Sequence, residues 1–74
     1  MLAKGDLIRV PANTRLTQRQ SELHMIDRYT YTSKPTVGIF INYEGYKTAK
    51  VYLNEKYWTV DVVSMQFIGV MNAS

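Results

Sequence analysis

Ser21, His24 and Asp27 follow one another at intervals of three, the only place where this chain sets a hydroxyl, its single imidazole and a carboxylate close together. On one helical turn such neighbours share a face, so the trio has the composition of a nucleophile, a base and an orienting acid. The opposing reading is a serine that caps a turn, a loop histidine and a solvated aspartate. Triads assemble from distant segments on a rigid frame, with an oxyanion hole beside them. Three residues inside one polar stretch lack that frame, and the chain is expected not to be an enzyme.

Residue type excludes other chemistry. With one histidine and no cysteine there is no typical zinc site, no disulfide and no thiolate nucleophile. The six carboxylates are scattered, with no Asp-x-Asp-x-Asp run for calcium. The four glycines stand singly, so no glycine-rich loop cradles a phosphate. Asp6 and Asp61 would pair as acids only by accident of folding. No metal and no cofactor are expected.

Side chains suited to contact are more plentiful. Tyr43, Tyr46, Tyr52 and Tyr57 surround two expected hairpins, with Lys47, Lys50 and Lys56 interleaved. Aromatic faces stack on bases while lysines meet phosphates, as in single-strand-binding barrels. Tyrosine is equally favoured at protein interfaces, where its rigid ring is buried and its hydroxyl stays wet. A third reading is cross-strand pairing that only stabilises a thin sheet. Phe40 alternates against Val37, Ile39 and Ile41, so it is expected on the outer face, where it would join this surface and favour oligomerisation at a strand edge.

The formal charge of +3 is unevenly placed. Residues 1–34 carry Lys4, Arg9, Arg15, Arg19, Arg28 and Lys34 against Asp6, Glu22 and Asp27, whereas bases and acids balance over residues 35–74. All four arginines, Arg9, Arg15, Arg19 and Arg28, therefore fall in the first half and are candidate contacts for an anionic partner. Solvated surface charge is the plainer account.

These groups need a scaffold, and 74 residues hold one domain with one core. Apolar residues make up 46% of the chain, enough to fold but with no staple to assist packing. No repeat or linker interrupts it. Leu7 to Val10 alternates, with Ile8 and Val10 on one face, and Pro11 ends the strand. Residues 12–34 read as a long ordered loop ending as a strand, where Tyr29 and Tyr31 alternate with threonines. Val37, Ile39 and Ile41 are expected inward, followed by a turn at Glu44-Gly45 in which glycine takes positive φ. Ala49, Val51 and Leu53 point inward, Asn54-Glu55-Lys56 turns, and Trp58, Val60 and Val62 point inward again. A short 3-10 turn at Val63-Ser64 precedes a last strand from Met65 to Ile68, and residues 69–74 are expected to fray.

The opening Gly5-Asp6-Leu7-Ile8-Arg9-Val10, the long loop, and the close from Tyr57 to Ile68 together resemble a Src-homology-3-like (SH3-like) barrel. The resemblance implies an all-β fold: a five-stranded antiparallel barrel with a 3-10 turn before the last strand. The chain is also similar to short uncharacterised proteins of marine cyanophages, which implies a phage origin and no particular activity. Peptide-binding members of the barrel family carry an acidic long loop and adjacent tryptophans. Here the loop is basic by residue count and Trp58 stands alone, which argues against proline-rich ligands.

The expected role is a non-enzymatic accessory or structural barrel that contacts another protein or itself. The candidate surface comprises Phe40, Tyr43, Tyr46, Lys47, Lys50, Tyr52 and Tyr57. The alternative is a nucleic-acid-binding barrel using the arginines and the tyrosine–lysine hairpins. Residues 1–6 contain no apolar run of signal-peptide length, and Val62 to Ser74 is too short to span a membrane. A cytosolic or virion location is expected, with no membrane partner.

Overall fold

The computed structural model describes residues 2–18 and 28–70. The fold is all-β. The strands are β1 (Asp6–Val10), β2 (Arg15–Gln18), β3 (Arg28–Tyr31), β4 (Thr36–Tyr43), β5 (Thr48–Leu53), β6 (Lys56–Asp61) and β7 (Gln66–Val70). A 3-10 turn, Val62–Ser64, separates the last two. They form one antiparallel sheet in the order β3-β2-β6-β5-β4-β1-β7. Seven strands replace the five expected, and the sheet is open, because β3 and β7 form its two edges rather than pairing.

The two extra strands come from the segment expected to be a long loop ending as a strand: β3 is that strand, and β2 has no counterpart in the expectation. β2 and β3 pair from Arg15↔Tyr31 to Gln18↔Arg28, and β2 joins the sheet through Thr17↔Thr59. A buried clasp closes the base of this hairpin. Thr14 and Thr32 each donate a hydroxyl hydrogen bond to the Pro11 carbonyl at 2.7 Å, while the Thr14 amide donates to Thr32 Oγ1 at 2.9 Å. Threonine thus satisfies the backbone that Pro11 and the left-handed Asn13 (φ 63°) remove from regular pairing.

The core consists of Ile8, Val10, Leu16, Phe40, Ala49, Val51, Leu53 and Val60, with Leu2, Trp58, Val62 and Met65 packed at its margin. The inward positions expected on β1, β5 and β6 hold, although Trp58 is only half-buried and donates its indole N–H to the Leu53 carbonyl at 3.1 Å.

β4 is inverted relative to expectation. Phe40 is 2% exposed and Val37 is 52% exposed. Alternation is uninformative here because Val37, Ile39, Phe40 and Ile41 are all apolar; close packing decides the face. Gly38 lies opposite Ile8, and a Cβ there would stand 2.8 Å from the Tyr52 carbonyl. Only the face bearing glycine can approach β5 that closely, and Phe40 shares it. A bulge then intervenes: Phe40 pairs with Val51 but Asn42 with Lys50, leaving Ile41 unmatched. The extra residue turns Tyr43 toward the core margin, where its ring lies 4.9 Å from that of Phe40.

The turns follow local chemistry. Asn54 (φ 53°) and Glu55 (φ 65°) both adopt left-handed backbone, a two-residue hairpin that matches strand twist, and Lys56 already belongs to β6. Gly45 takes no positive φ; its turn closes instead through the Glu44 amide and the Thr48 carbonyl at 2.9 Å. Gly69 and Val70, expected to fray, belong to β7, while the rest of that tail, residues 71–74, lies outside the described residues.

Candidate functional site

Cross-strand register assembles a surface on the side of the sheet away from the core. The two-residue turn sets Tyr52 opposite Tyr57, and their rings meet edge to face with centroids 5.0 Å apart. Two pairs further along, Lys50 lies opposite Thr59, and Thr59 lies opposite Thr17 across the β2–β6 junction. Thr17 in turn faces Tyr29, and Arg15 faces Tyr31. Parity therefore places Tyr52, Tyr57, Thr59, Thr17, Arg15, Tyr29 and Tyr31 on one side. The Arg15 guanidinium stands 4.7 Å from the centre of the Tyr29 ring, and Tyr31 contacts that ring edge to face at 6.0 Å.

Beside Tyr57 lies a recess of about 470 Å³, lined by Thr17, Gln18, Arg28, Lys50, Tyr57 and Thr59 together with Glu44 and Trp58. Glu44 reaches over its floor, accepting the Thr59 hydroxyl and holding Lys50 Nζ at 3.7 Å. Gln18 donates to the Tyr57 carbonyl at 3.2 Å, which ties β2 to β6 beyond their single register pair.

Of the residues singled out in the sequence, Lys50, Tyr57 and Arg28 line this recess, and Tyr52 and Arg15 belong to the same side of the sheet as Tyr57. Others do not. Phe40 is in the core and contributes no surface, because Gly38 sets the inward face of β4. Tyr43 packs against Phe40 at the core margin and borders only a neighbouring recess, with Asn42, Glu44 and Thr48. Tyr46, 94% exposed, and Lys47 lie at the opposite end of β5 beside the 3-10 turn, where the Val62 amide donates to the Lys47 carbonyl at 2.8 Å. Arg9 faces β7 and donates to Gln66 Oε1 at 3.0 Å. Among the described arginines, Arg9 therefore stands apart from Arg15 and Arg28.

Arg19 and the Ser21–His24–Asp27 trio lie outside the described residues. Asp6 and Asp61 are on β1 and β6, three strand spacings apart in the sheet, and Asp6 accepts the Ala3 amide at 2.8 Å. No group of three His, Cys, Asp or Glu side chains gathers among the described residues, and no helix there is long and apolar enough to cross a membrane.

Sequence reasoning missed Thr17, Gln18, Glu44 and Thr59 as site residues, and Tyr29 and Tyr31 as members of this surface. The alternation of Tyr29 and Tyr31 signalled a strand. Nothing local signals that Thr17 will meet Thr59, since that pairing joins strands separated by three others in the chain. Compared with known proteins, the chain matches no family model, no curated protein and no solved structure.

Proposed function

We propose that this chain is a non-enzymatic barrel-type module, an accessory or structural component in the cytosol or a virion, that works by contacting another protein. The carrying observation is the shared face of Tyr29, Tyr31, Tyr52 and Tyr57 with Arg15. Tyrosine and arginine dominate interface energetics because they bury large, rigid or planar area at low entropic cost. The Src-homology-3-like reading draws support from the order β7-β1-β4-β5-β6, in which the last strand pairs with the first and follows a 3-10 turn. The β2–β3 hairpin takes the place of the long first loop. On the expectation of a phage origin, virion and host proteins are the first partners to test.

The experiment is a pull-down from host extract and virion proteins with wild type, Tyr31→Ala and Tyr52→Ala, followed by reconstitution of any captured protein in purified form. A direct contact weakened by either substitution supports the proposal. Absence of any retained protein, or equal retention by all three forms, ends it. Arg15 over Tyr29 and Lys47 over Tyr46, at 4.7 and 5.8 Å, favour a second reading as a nucleic-acid binder. Titration with single-stranded DNA and RNA at two salt concentrations separates the two, since counterion release requires affinity to fall steeply with salt.

A further inference from the structure

The outer face contains a polar row that crosses the strands. Thr17 pairs with Thr59, Thr59 with Lys50, and Lys50 with Asn42. Four strands contribute one residue each, so the row spans about 14 Å at ordinary strand spacing. Recesses of about 470 and 340 Å³ open along it and share Glu44, Lys50 and Thr59, which makes them one trough. Each lies in the size range of small-molecule sites.

The lining selects the ligand. Thr17, Thr48 and Thr59 offer hydroxyls, and Gln18 and Asn42 offer planar amides. An apolar ligand would bury these groups without partners. A polyanion gains affinity by neutralising many phosphates, yet here Glu44 pairs with Lys50 and leaves Arg28 as the single uncompensated cation of the lining. A neutral molecule dense in hydroxyls fits both constraints, because every hydroxyl donates and accepts at once. Glu44 and the amides suit such groups. Tyr57 forms one edge of the trough, its ring steadied by Tyr52 at 5.0 Å, and presents a flat apolar platform to the C–H face of a sugar ring.

We propose that this trough is an oligosaccharide-binding site, with Glu44, Lys50, Thr17 and Thr59 as polar contacts and Tyr57 as the stacking platform. The site shares Tyr57 with the proposed protein-contact face, whereas Tyr29 and Tyr31 lie outside its lining, so Tyr31→Ala distinguishes the two.

The test is amide-resolved NMR titration with maltohexaose, cellohexaose and the chitin hexamer, beside oligodeoxythymidylate. At least one hexasaccharide is expected to shift the Thr17, Lys50 and Thr59 amides saturably. Tyr57→Ala and Glu44→Gln should each weaken that binding by about tenfold or more. Tyr57→Phe, which keeps the platform, and Tyr31→Ala, outside the trough, should leave it intact. Retained amide dispersion in every variant separates lost binding from lost folding. The proposal is overturned if no hexasaccharide shifts those amides at millimolar concentration. It is equally overturned if oligodeoxythymidylate binds the trough more tightly than every sugar, or if Glu44→Gln and Tyr57→Ala bind as well as wild type.

Discussion

The Thr14 amide donates to the Thr32 hydroxyl at 2.9 Å, joining two residues eighteen positions apart in the chain. Both are buried, and the Thr32 hydroxyl donates its own hydrogen bond to the Pro11 carbonyl. This clasp is what converts a polar stretch into a hairpin whose outer face carries Arg15, Tyr29 and Tyr31. Thr32→Val keeps shape and removes the hydroxyl, leaving a buried Thr14 N–H without a partner. We expect a loss of about 1–3 kcal/mol, read as a lower urea midpoint at unchanged slope. An unshifted midpoint would show that the clasp is ornamental.

Phe40 and Val37 reverse the roles that alternation assigns them. Phe40→Ala should destabilise by about 3–5 kcal/mol through lost burial and a residual cavity. Val37→Ala, at a half-exposed position, should cost less than about 0.5 kcal/mol. Equal effects in denaturant unfolding would contradict the inverted β4.

Gly38 governs that inversion. An added Cβ would lie 2.8 Å from a backbone carbonyl, which cannot rotate away as a side chain can. Gly38→Ala should therefore cost about 1–3 kcal/mol. In a thermal melt each kcal/mol should lower Tm by roughly 4–8 °C for a domain of this size. A melt at or above the wild-type temperature would refute the tight approach.

Glu55 is held at φ 65°, a conformation that costs an L-residue with a Cβ about 1–2 kcal/mol. Glu55→Gly creates the Asn-Gly pair preferred in such turns, at the expense of some unfolded-chain entropy. The net expectation is a gain of about 0.5–1 kcal/mol in chemical denaturation. The Tyr52–Tyr57 contact should persist, because the turn already sets that register. Loss of stability would mean that the left-handed turn is wrongly placed.

Much of the architecture was written in local sequence. The β5–β6 hairpin is legible from Ala49, Val51, Leu53 and Val60 alternating with polar neighbours around Asn54-Glu55, and the 3-10 turn from the broken alternation before Met65. Alternation alone turned Lys50, Tyr52 and Tyr57 outward, but the expected turn of Asn54-Glu55-Lys56 is one residue too long to set Tyr52 opposite Tyr57, a register the structure fixed. Faces are local because alternation dictates them, whereas register follows the exact length of the turn.

Other features had no local signal. In Val37-Gly-Ile-Phe-Ile both faces are apolar, so only contact with Ile8 and β5 chose which turned inward, and Phe40 went to the core. The β2–β3 hairpin depends on Thr14 and Thr32 meeting beneath Pro11, and the trough depends on Thr17 reaching Thr59. Period-two patterning specifies a strand's faces when one of them is polar. It is silent about which distant strand becomes the neighbour, since that choice rests on steric fit and buried hydrogen bonds that exist only once the chain has closed on itself.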